Sequence, residues 1–235
     1  MSSLSPSPQG QHLVYHMYLS KEKLKTVPPK DLQVFFHILR MVNSLRSTMK
    51  LHVKLKTDSD KMESFKDRME IHFLSIAMFY EALKTLVKVL LPRMTETYIS
   101  ESRLAELRQL ADRFANKRND PFLRVAAAIR NKIVFHFDSE VVDRIVTEGS
   151  PTKDLLIGYA RGRTINDSVY LEPSTAFFMY LAPLCPENTD AKDTVDWIQK
   201  TSITEIDSFC RLLERTAGDF FKKNGKLVQG PPLLE

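Results

Sequence analysis

Apolar residues recur at helical spacing along most of the chain. After the prolines at 28 and 29, Asp31 is the predicted N-cap of a first long helix. A second helix is predicted to start near Asp58 or Ser59 and to run to Pro92, which cannot continue a helix. The first helix is predicted from one apolar face, which consists of Val34, Ile38, Met41, Leu45 and Met49.

Three further helices follow from the same spacing. Ser100 and Glu101 open the third, which ends in the polar stretch 116–120. Asp120 before Pro121 predicts an N-cap with proline at the first helical position, and this fourth helix continues to about residue 137. A short helix through Val146 is predicted to follow it, and a last long helix spans about 189–223. The apolar stripe of the third helix consists of Leu104, Leu107, Leu110, Ala111 and Phe114.

The pattern changes after the helix breaker at 148–151. Two short β-favouring runs around a polar turn predict a hairpin at about 154–172. The polar start, residues 1–11, is predicted to be a disordered tail, and residues 226–235 a flexible one. The predicted fold is therefore mainly α: a single helical domain over 12–225, built as an up-down bundle with a small inserted β-hairpin.

Composition narrows the class of protein. Of 235 residues, 43% are hydrophobic and 27% charged, as in ordinary globular domains. The start lacks a signal peptide pattern, and the most apolar window contains charged residues, so we expect a cytoplasmic protein without a membrane span. Cys185 and Cys210 have no metal-type spacing and predict reduced thiols. Residues 21–56 contain nine basic and two acidic side chains, which suits a phosphate backbone or simply a solvated helix.

The common catalytic and cofactor motifs are absent from the sequence. It has no phosphate-binding glycine loop, no dinucleotide fingerprint and no His-Glu-x-x-His, so no cofactor and no metal are predicted. His12 and His16 have the spacing of two ligands on one helical turn, but surface histidines are the preferred interpretation. His37 and His72 are predicted to be packed or boundary residues, and His52 lies in a basic segment where it could touch a phosphate.

One stretch, "AAAIRNKIVFHFD" at 126–138, places an arginine inside an apolar run. On a helical wheel at ~100° per residue, Arg130 falls near the centre of the apolar arc, whereas Asn131, Lys132 and His136 share the other side with Arg124. A guanidinium cannot neutralise itself near pH 7, and burying it unpaired would cost several kcal/mol. It must therefore meet a carboxylate, carbonyls, a bound anion or a second subunit.

Two interpretations of Arg130 remain open on the wheel alone. In the structural one, it forms an internal ion pair or an arginine–carbonyl network, and His136 is a boundary histidine. In the functional one, it forms a phosphate site with His136, whose imidazole has a pKa suited to proton transfer. The two residues lie about 120° apart on one helix. Two antiparallel copies of the helix could join one chain's arginine to the other's histidine, which favours a homodimer.

The stretch "RNKIVFHFD" closely resembles the signature of the HEPN superfamily (higher eukaryote and prokaryote nucleotide-binding domains). In that signature an arginine is followed by a polar residue, a few mostly apolar residues and a histidine, and Arg130, Asn131 and His136 match those places. The likeness covers about 30–148 plus the last long helix and is greatest to uncharacterised and abortive-infection-type bacterial members. The hairpin lies outside it.

The resemblance implies a metal-independent endoribonuclease, often acting in phage defence or toxin–antitoxin systems, with its site formed across a homodimer. His136 would be the general base or acid, Arg130 would stabilise charge on the scissile phosphate, and Asn131 would orient it. It also implies an RNA or nucleotide ligand and an antitoxin or nucleotidyltransferase partner. The local charge agrees, because residues 113–136 hold six basic side chains and one acidic one; Lys117, Arg118, Arg124 and Lys132 are the predicted RNA contacts. The alternative is a non-catalytic nucleotide- or RNA-binding module, or a structural helical interaction protein.

Overall fold

The chain is mainly helical in a computed structural model. The structure describes residues 15–18, 20–57, 62–94, 97–134, 158–160, 169–171, 180–186, 191–224 and 226–229. The helices are α1 (Lys21–Thr26), α2 (Pro29–Thr57), α3 (Met62–Thr85), α4 (Glu101–Ala115), α5 (Pro121–Ala128) and α6 (Ala191–Asn224).

Short turns of other helix types extend or join these helices. A π-helical turn, Leu86–Leu90, and a 3-10 turn, Leu91–Arg93, continue α3 to the predicted proline stop. A second π turn, Ile129–Val134, continues α5, while 3-10 turns occupy Lys117–Asn119 and Ala182–Leu184. The predicted helix through Val146 lies outside the described residues.

Most helix boundaries agree with the sequence patterns. Ser100 is the N-cap of α4, and α6 matches the predicted last helix within two residues at either end. Asp31 is not the N-cap of α2, because the helix already begins at Pro29. Proline is favoured at the first helical position, since it has no N–H to satisfy there. Asp31 thus lies in the first turn and is buried.

Helix α3 is the centre of the core. It packs against α2, α5, the second π turn and α6, and α2 and α4 also contact α6. Fully buried Ile76, Leu83 and Leu123 join α3 to α5, and Leu213 adds α6. Fully removing one such side chain from water contributes about 1.5–3 kcal/mol. This one shared core confirms the mainly helical class and fixes the motif helix α5 against α3.

Within the described residues, four short strands accompany the helices. β1 (Tyr15–Tyr18) pairs antiparallel with β4 (Lys226–Gln229), His16 opposite Val228. Residues 226–229 of the predicted flexible tail thus pair with β1, and the flexibility of 226–235 stays a prediction. β2 (Gly158–Ala160) pairs antiparallel with β3 (Val169–Leu171). The hairpin over about 154–172 stays a prediction, because its other residues lie outside the described part.

The two cysteines are free and buried, in agreement with the predicted reduced thiols. Burial raises the pKa of both Cys185 and Cys210 to about 11. Both thiols are therefore protonated near neutral pH, which makes them poor nucleophiles.

Candidate functional site around Arg130

Helix α5 begins as the sequence predicts. The backbone N–H of Leu123 donates to Asp120 Oδ1 at 2.8 Å, and Pro121 occupies the first helical position. The other carboxylate oxygen of Asp120 accepts from Arg113 Nε at 2.6 Å. One side chain therefore caps the motif helix and ties it to the end of α4.

The backbone changes from α- to π-helical hydrogen bonding at Ile129, one residue before the arginine. A π turn holds more residues than an α turn, so the wheel at ~100° per residue no longer applies from this point. Ile129 and Ile133 face the core, and the Arg130 side chain between them is 25% exposed. The predicted position of Arg130 at the centre of the apolar arc is therefore wrong: it lies at the edge of the core.

Arg130 makes an ion pair and a hydrogen bond within the chain. Its Nε is paired with Glu81 Oε1 on α3, and its Nη1 donates to Asn131 Oδ1 at 2.7 Å. Glu81 also lies 3.6 Å from Lys84 Nζ, measured from Oε1. This is the internal ion pair of the structural interpretation. It also brings together two of the three signature residues, while His136 lies outside the described residues.

The residues predicted to contact RNA have different partners within the chain. Lys117 Nζ donates to Tyr80 Oη at 3.0 Å and lies 4.8 Å from the centroid of the Phe114 ring. Arg124 Nη2 donates to the backbone oxygen of Leu184 at 3.1 Å. Tyr80 directly precedes Glu81 on α3, so Lys117 and Arg130 contact adjacent residues of one helix.

The remaining two predicted contacts lie near the surface. Arg118 is exposed in the 3-10 turn before α5, and Lys132 is partly buried in the π turn. Asn131 is exposed, and Ala127 and Ala128 are partly exposed. The outer side of this segment therefore carries small, polar and cationic residues.

Two arginines that the signature does not include anchor α6. Arg113 pairs with Glu205 through both Nη atoms, at 2.7 and 2.9 Å, besides its contact with Asp120. Arg46 of α2 pairs with Glu214 at 3.0 Å and with Asp207 at 2.5 Å. Hydrogen bonds that the two guanidinium groups donate to these carboxylates raise the pKa of both above its ordinary value. In the basic segment 21–56, Arg46 is thus a structural residue.

The burial of the histidines agrees only in part with the interpretation of the sequence. His72 is fully buried, as predicted for a packed residue, whereas His37 is exposed. His52 is buried rather than facing a phosphate, and its ring lies 4.8 Å from the His72 ring between centroids. His16 lies on β1, where helical spacing does not apply, and His12 is outside the described residues. Apolar spacing could identify His72, but only the packing of α3 on α2 reveals the pair.

Within the described part of the chain, no three His, Cys, Asp or Glu side chains are grouped to hold a metal ion. None of the described helices combines the length and the apolar character needed to cross a membrane. No protein-family model, curated protein or solved structure matches the chain.

Proposed function

We propose that the protein is a metal-independent endoribonuclease of the HEPN type, with an up-down helical bundle and an inserted hairpin, which acts as a homodimer in phage defence or a toxin–antitoxin system. The observation that carries the proposal is the state of Arg130. Its side chain is 25% exposed, near the start of a π turn, and its guanidinium is held against Asn131 and Glu81. π turns inside helices occur frequently at functional sites.

The ion pair between Arg130 and Glu81 is compatible with an arginine that binds a phosphate only when RNA is present. A carboxylate keeps the guanidinium oriented and neutralised at the edge of the core, where an unpaired charge would be costly. Since the Arg130 and Glu81 side chains are 25% and 35% exposed, a phosphate could approach the exposed part of the guanidinium from solvent and compete with the carboxylate for its charge. Asn131 Oδ1 fixes a second face of the guanidinium at 2.7 Å. Together they preorganise Arg130 for electrostatic stabilisation of a phosphate.

Nearby cations support an RNA ligand. Lys117 is held beside α3 by Tyr80 and Phe114, next to the residue that holds Arg130. Arg118 is exposed on the same connecting turn as Lys117. Cations at such positions would bind successive phosphates and release counterions, which makes the affinity dependent on salt.

The proposed chemistry needs no metal, because RNA supplies its own nucleophile. His136 takes the proton of the ribose 2′-hydroxyl, or gives a proton to the leaving 5′-oxygen. The 2′-oxygen attacks the adjacent phosphorus, the bond to the 5′-oxygen breaks, and the products carry a 2′,3′-cyclic phosphate and a 5′-hydroxyl. Arg130 stabilises the charge that builds on the phosphate oxygens, and Asn131 orients the phosphate. In the homodimer, Arg130 of one chain works beside the histidine of the other.

The deciding experiment is cleavage of total RNA by purified full-length protein in excess chelator. The wild type should give products ending in cyclic phosphate, and His136→Ala should give none while keeping its circular dichroism spectrum. His37→Ala, which changes an exposed histidine of α2, is the matched control and should cleave normally. Equal cleavage by wild type and His136→Ala would overturn the proposal.

The Arg130–Glu81 pair favours a second candidate: a non-catalytic helical module, binding nucleotides, RNA or another protein, in which Arg130 is structural. A nucleotidyltransferase or antitoxin would then be its partner. This candidate predicts no cleavage by any variant, and it predicts that Arg130→Met leaves ligand binding unchanged. Nucleotide or RNA binding measured without cleavage would select it over the ribonuclease.

A further inference from the structure

A small cavity lies between the start of α2, the end of α6 and the connection from α3 to α4. Its volume of about 20 Å³ is room for one water-sized group. The described residues of its wall include neither Glu81 nor any part of the stretch 126–138. The role of this cavity therefore does not depend on the proposed ribonuclease activity.

Asp31, in the first turn of α2, contributes a carboxylate to the cavity wall. The residue is 7% exposed, and its backbone N–H donates to the oxygen of Pro28 at 2.9 Å. Among the described residues, none forms a hydrogen bond or an ion pair with its carboxylate. A carboxylate buried without a partner is costly, and a bound cation with N–H donors would remove that cost. The cavity thus contains a strong acceptor that lacks a donor.

Thr216 of α6 provides a second acceptor in the same wall. It is 1% exposed, and its hydroxyl donates to the backbone oxygen of Leu212 at 2.8 Å. Because the single hydroxyl proton is used in that bond, the oxygen can only accept a further hydrogen bond. The two buried polar residues of the wall, Asp31 and Thr216, therefore both offer acceptors. This pair favours a cation with several N–H donors over an anion.

Apolar side chains, three of them aromatic, form most of the remaining wall. Phe35 and Phe220 stack with their centroids 4.4 Å apart, and Tyr98 lies against Phe220 with centroids 5.5 Å apart. Aromatic rings attract a cation that lies over a ring face within about 6 Å of the centroid, and ammonium groups are bound in this way. An apolar wall also keeps water away, which strengthens the attraction between a cation and the carboxylate of Asp31.

We propose that this cavity binds the ammonium group of a small primary amine, with Asp31 as its counter-ion and Thr216 as its second acceptor. An ammonium group has three N–H donors and about the size of a water molecule, which matches the acceptors and the volume. Arg93, the one cation of the described wall, is exposed and forms no ion pair with a described residue, so it leaves Asp31 to the ligand. Because Arg93 repels a second positive charge, the rest of the ligand is uncharged or anionic.

The test is thermal unfolding of the full-length protein in increasing methylammonium chloride, which replaces KCl so that the ionic strength stays constant. A ligand that binds only the folded state raises the unfolding temperature as its concentration increases, and we expect this rise for the wild type. Asp31→Asn should weaken the binding by about 30-fold or more, as when one partner of a buried charge pair is removed. Thr216→Val keeps the shape of the side chain but loses one hydrogen bond to a charged group, so it should weaken the binding by about tenfold.

Matched controls separate binding in the cavity from general effects of the amine. Glu101→Gln removes an exposed carboxylate that also lies in the first turn of a helix, and it should respond like the wild type. Tetramethylammonium is larger and has no N–H donor, so it should not raise the unfolding temperature of the wild type. Circular dichroism checks that each variant folds.

Three results would overturn the proposal. The first is a wild type that is no more stable in methylammonium chloride than in KCl. The second is a response of Asp31→Asn as strong as that of the wild type. The third is equal stabilisation of the wild type by tetramethylammonium, which would mean that the N–H donors play no part.

Discussion

Arg113 and Asp120 form an ion pair at 2.6 Å in which the carboxylate also caps the helix that leads to Arg130. Arg113 also donates two hydrogen bonds to Glu205 on α6. A single guanidinium therefore connects the end of α4, the start of α5 and the long C-terminal helix. The start of the motif helix is thereby fixed on two sides.

Replacing Asp120 should separate its two roles. Asp120→Asn keeps an oxygen for the Leu123 N–H and loses the charge, and we expect a loss of up to about 1 kcal/mol in unfolding free energy, as for a partly exposed ion pair. Asp120→Ala also loses the cap, which adds a loss of about 1 kcal/mol. Urea unfolding measures both. The control is Asp112→Ala, an exposed change on α4 that should have little effect. Equal losses in the two Asp120 variants would contradict the capping role.

Substitutions at Glu81 and Arg130 should have opposite effects on RNA. Glu81→Gln removes the carboxylate that competes with phosphate, so we expect tighter RNA binding and preserved cleavage. Arg130→Met removes the phosphate-binding guanidinium, so cleavage should be lost while folding is kept. A double-mutant cycle of unfolding free energies should give a coupling of about 0.5–1 kcal/mol for this partly exposed pair. If neither variant changes RNA binding or cleavage, Arg130 is only structural.

The stability of the folded protein should fall in mild acid because of His72. Burial first, and then the nearby His52, lowers the pKa of His72 from 6.5 to about 4. Below pH 6.5 the His72 imidazole binds a proton in the unfolded chain but stays neutral in the folded protein. The stability that neutral His72 contributes is therefore fully present above pH 6.5 and is lost as the pH falls towards 4. At 1.36 kcal/mol per pKa unit, the loss reaches about 3 kcal/mol.

The measurement is urea unfolding between pH 7 and pH 4. The unfolding free energy of His72→Gln should depend less on pH in this window, so its difference from the wild type should shrink as the pH falls. His37→Gln should follow the wild type, because it changes an exposed histidine. Parallel pH curves for the wild type and His72→Gln would exclude His72 as the cause.

Periodicity predicted the helices because each buries one continuous stripe. The stripe Leu104, Leu107 and Phe114 is buried in α4, and Asp120 with Pro121 starts α5 as local chemistry requires. Local rules also identified Arg130 as a residue in need of a partner. They could not name Glu81, since 49 positions separate the two along the chain.

The π turn shows where wheel reasoning fails. A wheel assumes one rotation per residue, and the hydrogen-bonding change at Ile129 breaks that assumption at the residue of interest. The pairing of β1 with β4 was missed for another reason. Each strand is only four residues long, and its partner strand lies at the opposite end of the sequence. Neither the composition nor the periodicity of such a short segment predicts this pairing. The ring contact of His52 with His72 likewise depends on the packing of α2 on α3.

Gly218 offers a stabilising substitution in α6. It lies in the interior of Ala191–Asn224, and an added Cβ would meet no atom within 4 Å. Alanine at this place should therefore keep the helix geometry and remove conformational freedom from the unfolded chain, raising the unfolding free energy by about 0.5–1 kcal/mol. Ala217→Gly is the matched reverse change at the neighbouring position. Ala217 is buried, so this variant should lose about 1 kcal/mol or slightly more. Thermal and urea unfolding of the two variants against the wild type should give opposite shifts; a loss of stability in Gly218→Ala would mean that the helix needs glycine there.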